Sequence, residues 1–177
     1  MRDGVRSLLL ATVLLSGMTL GTGTVRAEGP PRPLTAEQVV RMSAEELECR
    51  FRNGRCVAMP EGFAKGRPIW ITGSKLAMPA ARLTRTIWQG KIIRDDGTIR
   101  NRILGLPIFT AELSFQASWL DGQPCQVMDY EPTSKIFAAV RDEVREIAPG
   151  IFLGITWLRD TPQPRRAMFF VLAPRNP

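Results

Sequence analysis

The chain contains no histidine. That single absence removes Ser-His-Asp and Cys-His catalysis, and with them any site in which imidazole holds zinc or haem iron. Tyrosine occurs once, as Tyr130, so phenolic chemistry has a single candidate. Cysteine occurs three times, at positions 49, 56 and 125, in a spacing that matches no metal motif. The residues therefore specify no metal and no cofactor, and leave any catalysis to carboxylates, arginine, lysine, hydroxyls or a thiol. Long hydrophobic runs are also missing. The best of them, Leu8 to Leu15, is far too short to span roughly 30 Å of hydrocarbon.

What that run does suit is an export signal. Arg2 and Arg6 precede it, Met18 and Leu20 extend it, and Val25-Arg26-Ala27 offers small residues where a signal peptidase reads. Cleavage after Ala27 leaves 150 residues of the 177, enough for one domain with its own core. The destination is then periplasmic or secreted. Loss of Arg2, Arg6, Arg26 and Asp3 lowers the net charge from +7 to +5, spread along the chain. For an exported protein this excess excludes nucleic acid as the natural partner and leaves an anionic membrane surface open.

An oxidising compartment permits a disulfide between Cys49 and Cys56, which would close a short loop and stabilise by about 2–3 kcal/mol. Cys125, with no histidine to activate it, reads as a small buried apolar residue.

Residues 28–34 form a proline-rich lead without a fold of its own, and residues 35–177 form the domain. Thr35 with Gln38, and Ser43 with Glu46, have the spacing of capping boxes and predict two helix starts. Glu45 and Glu46 in the first turn, Arg50 and Arg52 in the last, and Gly54 as a left-handed cap complete the second helix. A short additional helix is expected from Pro79 to Gly90, with Ala80, Leu83, Ile87 and Trp88 on one face.

From Lys91 onward the pattern is strands and turns. Phe109 to Trp119 alternates without a fault, placing Phe109, Ala111, Leu113, Phe115, Ala117 and Trp119 on one side. Asp96-Gly97 and Asp121-Gly122 predict tight hairpin turns. A two-residue turn at Asp121-Gly122 would pair Leu113 with Tyr130 and Phe115 with Met128. The remaining strands are expected at 66–72, 91–95, 98–104, 124–130, from about Val140 to Ile147, at 151–158 and at 168–173. Eight antiparallel strands close naturally into a barrel just wide enough for side chains or one small ligand. The expected class is mainly β: a single antiparallel barrel of about eight strands with an N-terminal helical segment, or alternatively a two-sheet sandwich.

The phrases Trp88-Gln-Gly-Lys91, Asn101-Arg102, Trp119-Leu-Asp-Gly122, Asp129-Tyr130, Arg141-Asp-Glu-Val-Arg-Glu146 and Pro149-Gly-Ile-Phe-Leu-Gly154 resemble a group of small exported bacterial proteins without an assigned activity. The general plan is similar to the calycin superfamily of lipocalins and fatty-acid-binding proteins. That similarity implies a barrel around an apolar ligand.

Candidate site residues follow from the alternation. Leu113, Phe115, Met128, Tyr130 and Trp157 would line an interior, with Asp142 and Arg145 as its charged members. On a strand, Arg141, Glu143 and Arg145 share one face and Asp142 with Glu146 the other, so one set points inward. Gly154 interrupts an apolar run, as close approach of another segment or a ligand requires. Three functions remain: a binding protein for a lipid or other apolar small molecule, a filled structural barrel of the envelope, and a carboxylate-based lyase or isomerase. The last would use Asp142 or Glu143 as base, with Tyr130 or Arg145 steadying negative charge.

Overall fold

Both capping boxes form. The computed structural model describes residues 33–69, 87–159 and 162–175; the expected signal, most of the proline-rich lead, and Trp70 to Thr86 lie outside the described residues. Thr35 caps α1 (Ala36–Val39) and Ser43 caps α2 (Ala44–Arg52), each side chain accepting from the backbone N–H three residues on while the cap's own backbone N–H donates to the side chain of Gln38 or Glu46. Helix α2 ends at Asn53 in a right-handed conformation. Gly54 is therefore not a left-handed cap; it is glycine because a Cβ there would sit 2.9 Å from the Cβ of Arg145.

Eight strands follow: β1 (Gly62–Ile69), β2 (Trp88–Ile93), β3 (Thr98–Ile103), β4 (Leu106–Ala117), β5 (Pro124–Asp129), β6 (Val140–Ala148), β7 (Ile151–Leu158) and β8 (Arg165–Pro174). Each pairs antiparallel with the next, and β8 pairs with β1, giving a closed barrel without a free edge. The sandwich alternative is excluded by that closure. Trp88 to Gly90 belong to β2 rather than to the end of a helix; the rest of the expected helix, with Ala80 and Leu83, lies outside the described residues.

Two register details correct the sequence reading. Leu113 pairs with Met128 and Phe115 with Gln126, two residues away from the expected partners, because Ser118 to Gln123 form a six-residue connection instead of a two-residue turn. Faces are preserved by an even slip. The faultless alternation of 109–119 also does not translate into alternating burial. A bulge at Phe109 breaks the ladder, Phe115 is 59% exposed at the end of its strand, and Ser118 on the polar side is buried.

Burial separates into two cores. Inside the barrel, Ile93, Ile99, Ala111, Met128, Val144 and Leu172 fill one end. Outside it, Cys125, Val127, Leu153, Ile155, Phe169 and Val171 form an apolar face on which Val39, Leu47 and Phe51 of the helices pack. Helices α1 and α2 thus cover the outer face of β5–β8 instead of plugging the barrel.

Gly154 faces inward under the ring of Phe170; an added Cβ would lie 2.1 Å from that ring. Strand packing, not a ligand, explains this glycine. Gly154→Ala is expected to displace Phe170 and cost about 1–3 kcal/mol, read as a lower urea midpoint with an unchanged m-value.

Candidate functional site

At the barrel end opposite the apolar plug, the interior is polar. Lys91 points inward from β2 and is 2% exposed. A lysine so placed keeps its charge only if its three donors are met. They are: Nζ donates to Oδ1 of Asn101 (3.1 Å), to the Tyr130 hydroxyl (2.7 Å) and to Oδ2 of Asp142 (2.8 Å). The rings of Trp88, Tyr130 and Phe170 lie 5.3–5.8 Å from the same nitrogen and add cation–π attraction.

The acceptors are satisfied in turn. Thr156 Oγ1 donates to Asp142 Oδ1 (2.6 Å), and the Tyr130 hydroxyl donates to Asp142 Oδ2 (3.3 Å). Trp88 Nε1 donates to Asn101 Oδ1 (3.0 Å), while Asn101 Nδ2 donates to the Tyr130 hydroxyl (2.8 Å) and to the Phe109 carbonyl (3.2 Å). Phe109 offers that carbonyl from a left-handed conformation (φ 55°). Such backbone costs of order 1 kcal/mol or more for a bulky residue. It also sets the Phe109 ring 4.4 Å from Phe137.

Burial works against the Lys91 ammonium, but the Asp142 carboxylate and the Tyr130 hydroxyl outweigh it and hold its pKa above the usual lysine range. Burial, partly offset by Lys91, pushes the Tyr130 phenol up. At neutral pH Lys91 is therefore an ammonium and Tyr130 a neutral phenol.

This cluster forms one wall of a cavity of about 280 Å³ at the barrel mouth. The other walls are apolar: Ile87, Ile103, Phe109, Phe137, Val140 and Met168, with Phe170 below. Among the described residues, none that is charged besides Lys91 and Asp142 lines it.

Of the residues proposed from the sequence, Tyr130 and Asp142 meet in this cavity. Met128 is buried in the interior core, and half-buried Leu113 packs against that core rather than against the cavity. Exposed Phe115 lies at the end of its strand. Trp157 points outward and packs edge-on against Trp119. Arg145 is outside the barrel altogether. It is buried beneath α2, where Nη1 and Nη2 donate to Asp121 (both 2.8 Å) and the fork also reaches the carbonyls of Phe51, Gln123 and Pro124. Its outward neighbours are equally committed: Glu143 accepts from Arg141, Ser118 and the Trp119 backbone. Arg145 and Glu143 thus cannot serve a site built on Asp142 and Tyr130.

The sequence reading missed Lys91, Asn101 and Thr156. The available signal was parity: Lys91 and Asn101 lie opposite each other across the Asp96-Gly97 hairpin, on the same face as Ile93 and Ile99.

The Cys49–Cys56 bridge is not formed; all three cysteines are free thiols. Cys49 is exposed on α2, with the Asn53 amide 3.6 Å from its sulfur. Cys56 is half-buried, within electrostatic reach of Arg145 and Cys125. Burial, reinforced by Glu143, pushes the Cys125 thiol up to about 12, so it is no nucleophile at neutral pH. Among the described residues no group of three or more Cys, Asp or Glu is arranged to hold a metal ion.

No protein-family model matches the chain, and no curated protein is similar to it. A crystal structure of a protein from Thermomonospora curvata has the same fold, with a TM-score of 0.54 and 16% identity over 76% of this chain and 89% of that one. At that identity the likeness concerns the barrel alone.

Proposed function

We propose that the protein is an exported binding protein that holds a small, uncharged and largely apolar molecule in the mouth of its barrel. The observation that carries this reading is the half-filled interior. One end is packed solid, whereas the other keeps a cavity of about 280 Å³ with apolar walls. That volume lies just below the roughly 300–1,000 Å³ of most small-molecule sites, so the occupant is compact rather than a long acyl chain.

The polar wall narrows the class further. Lys91 and Asp142 neutralise each other, and every donor of the ammonium is already used. A ligand carboxylate would enter a poorly solvated space with no free counter-charge, which is costly. A ketone, alcohol or hydrocarbon meets no such penalty. Export follows from the N-terminal segment and its Val25-Arg26-Ala27 site.

Catalysis by this cluster is the weaker reading. A general base needs a group able to take a proton near neutral pH. Here Lys91 stays protonated, Tyr130 keeps its proton, and Asp142 is bonded to Lys91, Tyr130 and Thr156.

The neutral fluorophore N-phenyl-1-naphthylamine is expected to bind the wild type with a blue shift and a stoichiometry near one. Met168→Trp, which fills the half-exposed rim of the cavity, is expected to weaken that binding at least tenfold with an unchanged melting temperature. Equal binding by both proteins would place the fluorophore elsewhere and refute the assignment.

A further inference from the structure

We propose a second site, independent of the interior cavity: an anion-binding cleft on the outer face of β1–β3 that takes a phosphate-bearing ligand. The cleft encloses about 580 Å³ beside the end of α1, and Lys65, Arg67, Arg102 and Arg175 contribute its cations. Strand parity explains their convergence. Lys65 and Arg67 alternate with the inward-facing Ala64 and Gly66 on β1, and Arg102 alternates with the inward Asn101 on β3.

The unusual feature is Phe63. Its ring has the Arg102 guanidinium 5.0 Å away and the Arg175 guanidinium 5.1 Å away. The aromatic ring attracts each cation, yet gathering both around one ring brings like charges together. Among the described residues Lys65, Arg102 and Arg175 take part in no ion pair, whereas Arg67 is matched by Glu37 at 2.9 Å. Arg102 Nε is buried without a hydrogen-bond partner, an atom that seeks an acceptor.

Planar guanidinium forks match phosphate oxygens geometrically, and a concave cluster of one sign concentrates anions. The chemistry fits a phosphate group whether free in solution or carried on a lipid.

The test uses the full-length processed protein at low ionic strength with two probes. Inorganic pyrophosphate is titrated by calorimetry, and phosphatidylglycerol in phosphatidylcholine vesicles is tested by co-sedimentation against phosphatidylcholine alone. Wild type is expected to bind at least one probe, and Arg102→Gln/Arg175→Gln to bind it at least tenfold more weakly. Pyrophosphate binding would identify a soluble phosphate as the source; binding only to the anionic vesicles would identify a lipid head group. Absence of binding to both, or binding to which the double substitution is indifferent, would overturn the proposal. Naphthylamine binding by the double variant is expected to match wild type, which verifies its fold and keeps the two sites distinguishable.

Discussion

Asp142→Asn is expected to destabilise the protein by about 3–5 kcal/mol, because it leaves the Lys91 ammonium buried without its counter-charge. For a domain of this size that corresponds to a melting temperature lower by roughly 10 °C or more. Lys91 is 2% exposed and cannot retreat to water along the strand face it occupies. The double replacement Lys91→Met/Asp142→Leu removes both charges, and is expected to recover most of the loss despite leaving Thr156 and Asn101 one partner short and Tyr130 two. A single replacement costing less than about 1 kcal/mol would show that the pair is not desolvated. The pH dependence has a definite sign. Lys91 has its folded pKa raised above the unfolded value, so its contribution is complete below the usual lysine range and fades only as pH rises through the higher folded value. Stability attributable to the Lys91 ammonium is thus expected to stay flat up to about pH 9.

Arg145→Met is expected to cost a similar amount, about 3–5 kcal/mol, for a different reason. The residue joins three elements: the Phe51 carbonyl at the end of α2, the Pro124 carbonyl opening β5, and the Asp121 carboxylate in the connection between β4 and β5. Its positive charge also sits where the helix dipole is negative, and its fork stacks 4.7 Å from the Phe51 ring. Lysine should not rescue it, since a point charge cannot reach carbonyls and carboxylate together. The hydrogen bonds from Arg145 hold the Asp121 carboxyl below the usual aspartate range. This contribution is present above the ordinary value and is lost as pH falls through the lowered one. Urea midpoints should therefore separate wild type from Arg145→Met widely at pH 7 and less at about pH 2–3. An equal gap at both values would remove Asp121 from the account.

These two residues also show which parts of the molecule the sequence makes legible. Arg145 and Asp142 lie three apart on β6, so opposite faces followed from parity alone. Which face was interior did not, because both are buried: one by the barrel, the other by α2. A strand covered on both sides loses the polar-outside rule that periodicity depends on. The eight strands and both capping boxes were readable because turn residues and caps act locally. Closure was not legible, since the same eight strands also suit a two-sheet sandwich; only the pairing of β8 with β1 decides between them.

The alternation of 109–119 misled in the opposite direction. It is a true strand pattern, yet Phe115 and Trp119 extend beyond what the barrel can cover, so their exposure is set by neighbours remote in sequence. Lys91 was invisible for a related reason. A lysine among Gly90, Ile92 and Ile93 reads as a solvated edge, and only the arrival of Asp142 and Tyr130, 51 and 39 residues later, makes an inward position tolerable. The cavity itself has no sequence signature, because it is defined by what β2, β3, β6 and β8 fail to fill.

The cavity is expected to take an uncharged apolar guest. Displacement of N-phenyl-1-naphthylamine by cyclohexylmethanol and by cyclohexanecarboxylate at neutral pH measures it directly, since the two compact competitors share a ring and differ in charge. The alcohol should compete at least tenfold more strongly with the wild type, and the gap should narrow in Asp142→Asn, where Lys91 gains a free positive charge. Stronger competition by the carboxylate, or no competition by either, would contradict this reading.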